Sequence, residues 1–115
     1  MHDPITVHIQ RAGDQALVEL AGELDMAATP AVLDAVDRTL QDDARRLIID
    51  LGGVTLCDSV GLATLVRARR RALAAGRDLI VIGLRAQARQ LLNLTGLISY
   101  LTGEPRDPKG QIMRS

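Results

Sequence analysis

Residues 47–51 read LIIDL, and beyond a glycine-containing segment at 52–59 the chain continues at 60–75 as VGLATLVRARRRALAA. A short apolar run such as the first is typical of a central strand that is covered on its faces. The longer segment has apolar residues at helical spacing, arginines toward its end and Gly76 as a stop. The pattern predicts a buried strand, a return loop over 54–59 and a helix.

Two strands and a helix are predicted upstream of this unit. Residues 5–9 alternate apolar and polar side chains, and a turn at 12–14 leads to a second strand at about 16–21. The connection is short, so the two strands form a hairpin. Thr29 is predicted as the N-cap of the next helix, with Pro30 at its first position, where the missing N–H costs nothing.

Downstream, the patterns predict a buried strand at 79–83, a helix at 86–94 and a last short strand at 98–101. Helices long enough to cross back between strands imply parallel pairing. We therefore predict an α/β fold, one domain over residues 1–102, with a mixed and mostly parallel β-sheet of about five strands packed with helices. Residues 103–115 contain two prolines and mixed charges and are predicted to be a flexible tail.

Within this sheet the hairpin strands are expected to be antiparallel. The strands that begin at Leu47 and Leu79 are expected to be parallel and central. Helices starting at Pro30, Val60 and Ala86 should pack on them.

The composition excludes several classes of partner. Fourteen Lys and Arg balance fourteen Asp and Glu, so the chain lacks the basic field that nucleic acid attracts, and one Tyr without Phe or Trp offers no stacking platform. We expect no direct nucleic-acid binding.

Two further features of the sequence concern localisation. No apolar run approaches the ~18 residues of a membrane span, so we expect no membrane insertion. A lone cysteine, Cys57, cannot form an internal disulfide, which predicts a cytoplasmic setting.

Catalytic candidates are few. Ser59 lies at a loop-to-helix junction, but a nucleophile elbow has glycine two positions earlier, where this chain has Cys57. The only histidines, His2 and His8, are near the N-terminus, and His8 lies on a predicted edge strand. The sequence contains no phosphate-binding glycine motif and no ligand cluster at metal spacing. We expect no enzymatic activity, no cofactor and no metal, with Cys57 as a small buried hydrophobic residue.

Ser59 is expected at, or next to, the N-cap of the helix that begins near Val60, with Asp58 before it. Its hydroxyl can accept a hydrogen bond from an N–H group of the first turn. A phosphoryl group on the same oxygen would lie at the positive end of the helix dipole and receive backbone donors. The residues alone leave both interpretations open, a plain N-cap or a phosphorylation site.

Three segments resemble the STAS domain family and, within it, the bacterial anti-sigma-factor antagonists. Residues 49–62, IDLGGVTLCDSVGL, resemble the family signature, in which aspartate, serine, serine or threonine, glycine and leucine follow one another. The segment 22–25, GELD, precedes the first helix, and 94–97, LTGL, follows the third. The similarity spans Val7 to Leu101.

This resemblance implies a regulatory binding module. In the family, the serine after the aspartate is phosphorylated by a partner that is both an ATP-dependent serine kinase and an anti-sigma factor, which implies Ser59 as the phosphorylation site. Val60 stands where the family usually has a second hydroxyl residue, so one acceptor remains. The unphosphorylated form would bind the anti-sigma factor serine kinase and free the sigma factor, and a serine phosphatase of the metal-dependent class would reset the switch. The implied partner-binding residues are Glu23, Leu24, Asp25, Asp58, Ser59, Val60 and Gly61.

The same resemblance includes a rival function. Relatives in the broad family serve as subunits of membrane lipid transporters or as scaffolds of stress-signalling complexes. In a transporter, the same surface would dock on an ATPase, and Ser59 would never be modified. Phosphate transfer from ATP by the native kinase separates the two functions.

Overall fold

A computed structural model describes residues 2–104, without the side chains of residues 94 and 95. Its elements are β1 (Thr6–Ala12), β2 (Gln15–Leu24), a 3-10 turn (Met26–Ala28), α1 (Thr29–Leu40), β3 (Arg46–Cys57), α2 (Ser59–Ala74), β4 (Asp78–Ile82), α3 (Ala86–Thr95) and α4 (Ile98–Thr102). Of the predicted tail at 103–115, residues 105–115 lie outside the described part. Glu104 is paired with Arg89 through an N–O distance of 2.6 Å.

The sheet has the order β1-β2-β3-β4. The first two strands form the predicted antiparallel hairpin, while β2 with β3 and β3 with β4 are parallel. This arrangement confirms the α/β class and the mixed, mostly parallel sheet. The strand from Leu47 is central as predicted. Among the strands of residues 2–104, β4, which carries Leu79, lies at the edge, so its predicted central position is wrong.

The third strand is much longer than predicted, because it continues through Gly52 and Gly53 to Cys57. The predicted return loop at 54–59 is therefore wrong. The glycines mark a register shift against β2 rather than a turn, and a Cβ atom added at Gly53 would lie 2.8 Å from the Cβ of Ala21. Glycine allows this close approach of two strands. Asp58 alone connects β3 to the helix after it.

The predicted strand at 98–101 is wrong, because this segment is the helix α4. Ile98 and Leu101, three residues apart, are both buried, which is the spacing of one helical face. Gly96 and Gly103 have φ of 75° and follow the last residues of α3 and α4. The part of the chain from residue 2 to 104 thus contains four strands rather than about five.

The core lies between one face of the sheet and the helices. Alternate residues of β2 and β3, including Val18, Leu20 and Ile49, are buried with Val36 of α1 and Leu65 of α2. The alternation fixes which face of each strand meets the helices. No helix within residues 2–104 combines the length and apolarity needed to cross a membrane.

Candidate functional site

The ends of β2 and β3 place two aspartates at the same edge of the sheet. Leu24 pairs with Cys57 in the parallel register, and each is the last residue of its strand. Both side chains are buried, that of Cys57 with 7% of the residue exposed. Because parallel strands end at the same edge, the residues that come directly after them, Asp25 and Asp58, begin neighbouring connections.

Asp58 forms the N-cap of α2. Its Oδ1 atom accepts a hydrogen bond from the backbone N–H of Gly61 at 2.8 Å, and its backbone is extended, with φ −96° and ψ −177°. Ser59 is the first residue of the helix and is exposed. The plain N-cap interpretation of Ser59 is therefore wrong, because the neighbouring carboxylate already makes the capping bond. Within residues 2–104, the Ser59 hydroxyl has no hydrogen-bond partner.

The first turn of α2 rests directly on the end of β2. A Cβ atom added at Gly61 would lie 2.0 Å from the carbonyl oxygen of Leu24, and the same oxygen accepts a hydrogen bond from the N–H of Asp58 at 3.4 Å. Leu24 and Gly61 are themselves buried. They fix the spacing between the strand end and the helix rather than offering side chains to solvent.

The connection after β2 has its own cap. Asp25 Oδ1 accepts a hydrogen bond from the N–H of Ala28 at 3.2 Å and so closes the 3-10 turn. Thr29 is not the N-cap of α1 as predicted; that position is Ala28, which has no side-chain cap. The Thr29 hydroxyl lies 2.8 Å from that of Thr64 and joins α1 to α2 instead. This pair of hydroxyl groups links the two helices behind the site.

Exposed apolar residues accompany the predicted site residues at this edge. Met26, in the 3-10 turn, is 73% exposed, and Leu56 and Val60 on either side of Asp58 are also exposed. Sequence reasoning missed Met26 and Leu56. The sequence could have indicated the exposure of Leu56. Leu56 and Cys57 are adjacent apolar residues, and adjacent residues of a strand point to opposite faces of the sheet, so only one of them can face the core.

The structure separates Ser59 from His8, one of the two histidines that a hydrolase could use as its base. His8 pairs with Glu19 on β1 and β2, five residues (roughly 16 Å) from the strand end beside Ser59. Burial raises the pKa of the Cys57 thiol to about 11, with a smaller contribution from the negative charge of Asp58. A thiol with that pKa is protonated at neutral pH, in agreement with its predicted role as a buried hydrophobic residue.

The N-terminal His2 also reaches this edge, which sequence reasoning did not predict. Its Nδ1 atom lies 2.8 Å from Oε2 of Glu23 and 4.0 Å from Oδ2 of Asp25. No pattern in the sequence relates position 2 to positions 23 and 25, since the contact depends on the path of the chain before β1.

Residues 7–102 match the family model described as "Mlab, STAS domain". The anti-sigma-B factor antagonist of Staphylococcus aureus (strain NCTC 8325 / PS 47) is 28% identical over 80 residues, which are 70% of this chain and 74% of the relative. The solved structure of an anti-sigma factor antagonist from Mycobacterium paratuberculosis superimposes with a TM-score of 0.68 at 29% identity, covering 84% of this chain and 82% of that one. The anti-sigma factor antagonist SpoIIAA in its unphosphorylated form shares the fold, with a TM-score of 0.70 at 17% identity over 84% and 86% of the two chains.

The family match includes every element that builds the site. It contains all of β2 and β3, the capping residues Asp25 and Asp58, and the start of α2 at Ser59. It also contains α4, the segment in which the sequence pattern alone was misleading. The chain belongs to the STAS domain family.

Proposed function

We propose that the protein is an anti-sigma-factor antagonist, a regulatory binding module of the cytoplasm rather than an enzyme. Its unphosphorylated form binds an anti-sigma serine kinase and frees the sigma factor, and phosphorylation of Ser59 ends that binding. One observation carries the proposal: Ser59 is exposed at the first position of a 16-residue helix whose cap comes from Asp58. The hydroxyl is therefore free to accept phosphate without loss of the cap. The relatives named above support the same role.

The fold can hold the phosphorylated form. Phosphate adds a charge of about −1.5 to −2 and three acceptor oxygens at pH 7. At the first position of α2 it lies at the positive end of the helix dipole, which contributes ~0.3–1 kcal/mol. Since Ser59 is exposed, the remaining charge stays hydrated.

The same phosphate opposes a protein interface. A partner that covers Ser59 would remove water from the phosphate, which follows the carboxylate of Asp58 in a segment that also exposes the apolar residues Leu56 and Val60. Burying a charge without a matching partner is costly. A mismatch of about 3 kcal/mol lowers affinity on the order of a hundredfold.

The proposed partner surface has two kinds of residue. Glu23, Asp25, Asp58, Ser59 and Val60 present side chains at the strand ends. The buried Leu24 and Gly61 hold these side chains at a fixed separation through their direct contact. A metal-dependent serine phosphatase is proposed to remove the phosphate and restore binding.

The test is calorimetric titration of wild type, Ser59→Ala and Ser59→Asp against the native kinase with ADP, together with mass spectrometry after ATP treatment. Ser59→Ala should bind like unphosphorylated wild type, and Ser59→Asp should bind poorly. Ser99→Ala, in α4, is the control and should be phosphorylated like wild type. Equal affinity of wild type and both Ser59 variants, with no phosphate on Ser59, would reject the switch and favour the transporter-subunit function.

A further inference from the structure

The residues before β1 lie across the end of β2. The backbone oxygen of Asp3 accepts a hydrogen bond from the N–H of Glu23 at 2.8 Å, and its carboxylate accepts one from Thr55 Oγ1 at 3.3 Å. Pro4 approaches Gly22 so closely that a Cβ atom there would lie 2.4 Å from the Pro4 oxygen. Gly22 has φ of 100°, which also requires glycine. These contacts hold His2 over the strand end.

Three possible metal ligands meet there. Nδ1 of His2 lies 2.8 Å from Oε2 of Glu23 and 4.0 Å from Oδ2 of Asp25, and the three donor atoms all lie within 4.8 Å of one another. Donors around a tetrahedral ion at ~2.1 Å are separated by about 3.4 Å, so small side-chain rotations suffice. The side chain of His2 is half exposed and free to make such a rotation.

We propose that His2, Glu23 and Asp25 bind a divalent transition-metal ion of the zinc class. One imidazole nitrogen and two carboxylate oxygens suit such ions, whereas Ca²⁺ prefers six to eight oxygen ligands. The cap of the 3-10 turn is preserved, because Asp25 uses Oδ1 for the N–H of Ala28 and presents Oδ2 to His2. Three protein ligands leave one coordination position open.

A hydrogen bond or ion pair between His2 and Glu23 would produce the same 2.8 Å contact without a metal. The two explanations differ in measurable ways, since an exposed ion pair adds little stability and does not bind zinc. The chain also provides a matched control in His8, which lies beside Glu19 and Asp50 on the sheet. Cys57 is buried, with its pKa raised to about 11, and does not compete for the ion.

Metal binding would change the proposed partner surface, because Glu23 and Asp25 belong to both. An ion there would neutralise two carboxylates and tie the N-terminal segment to the loop after β2. This consequence depends on the proposed function, but the metal site itself does not.

The test is calorimetric titration of metal-free protein with Zn²⁺, without any partner protein, so that its failure is separate from failure of the proposed function. Wild type and His8→Ala should bind one equivalent with the same affinity. His2→Ala and Glu23→Gln should weaken binding by at least the ~10–100-fold that loss of a supporting residue costs at metal sites. Zinc should raise the melting temperature of wild type and His8→Ala only.

A second measurement identifies the ligand directly. Co²⁺ should shift and broaden the imidazole NMR signals of His2 and leave those of His8 sharp. Zinc affinity that is unchanged in His2→Ala, reduced equally in His8→Ala, or undetectable in wild type overturns the proposal. Those outcomes leave the ion pair between His2 and Glu23 as the whole explanation.

Discussion

The connections after β2 and after β3 are built from the same parts. Each strand ends in a buried residue, Leu24 or Cys57, and each is followed by an aspartate that caps the next turn. The capping distances are 3.2 Å for Asp25 and 2.8 Å for Asp58. An aspartate after a strand is therefore a structural device that this chain uses twice.

The two connections differ in the residues after the aspartate. After Asp25 the chain makes the 3-10 turn Met26–Ala28 before α1 begins, and Ala28 gives α1 no side-chain cap. After Asp58 it enters α2 at once, with a hydroxyl at the first position. In both connections the aspartate caps the turn that follows it. Only the second connection has a hydroxyl residue directly after the cap, and this residue, Ser59, is the candidate switch.

The largest effect is expected from Leu24→Ala, which removes the buried side chain between the two connections. A leucine-to-alanine change at a fully buried position costs ~2–5 kcal/mol of unfolding free energy. Leu56→Ala, at an exposed position on β3, is the control and should cost at most about 0.5 kcal/mol. Urea unfolding measures both, and equal losses would show that Leu24 is not the centre of this contact.

At the paired position, Cys57 should resist alkylation. With its pKa near 11 rather than 9.0, the thiolate fraction at pH 8 falls roughly a hundredfold. The rate of reaction with iodoacetamide should be at least that much lower in the native protein than in urea. Reaction rates within a few-fold of each other would contradict the burial of this strand end.

Gly61→Ala tests the close approach of the first turn of α2 to the backbone oxygen of Leu24. The added methyl group would lie 2.0 Å from the Leu24 oxygen, and overpacking of this kind costs ~1–3 kcal/mol. Alanine recovers about 1 kcal/mol of helix propensity, so the net loss is smaller than for Leu24→Ala. The control is Gly52→Ala, where the nearest atom to the methyl group would be Oδ1 of the Asp50 side chain at 3.1 Å rather than a backbone oxygen. A more stable Gly61→Ala protein would mean that α2 does not rest on β2.

The smallest effect distinguishes the two caps. Asp58→Ala should destabilise by ~1 kcal/mol, because it uncaps a long helix. Asp25→Ala should cost less, because its turn has three residues and its hydrogen bond is longer. Thermal unfolding of both variants measures the difference. A larger loss of stability in Asp25→Ala than in Asp58→Ala would contradict this prediction and show that the cap after β2 contributes more.

Sequence patterns were sufficient where burial is periodic. The short apolar run at 47–51 predicted the first part of β3, and the helical spacing after Val60 predicted α2. The family signature located Asp58 and Ser59 together, although it did not reveal which of them caps the helix.

The predicted secondary structure was wrong in two places, one next to a pair of glycines and one in a segment of only four residues. The segment after Gly52 and Gly53 was predicted to be a return loop, because the sequence does not show that the two glycines make room for Ala21 of the neighbouring strand. The segment 98–101 is too short for its apolar period to separate strand from helix. Its conformation depends on the glycines at 96 and 103, whose φ values belong to the folded chain. Exposure of Met26 likewise depends on tertiary packing.

The strand order of the sheet has a consequence for synthesis. Within residues 2–104, strands that are neighbours in the sheet are also consecutive along the chain, in the order β1-β2-β3-β4. A hairpin can form in ~1–10 μs, and this order allows each later strand to join the edge left open by the strand before it. No strand within that part of the chain has to be inserted between two that are already paired. The pairing that sets Asp25 beside Asp58 uses only residues up to Cys57, so a nascent chain can align these two strand ends before β4 has left the ribosome.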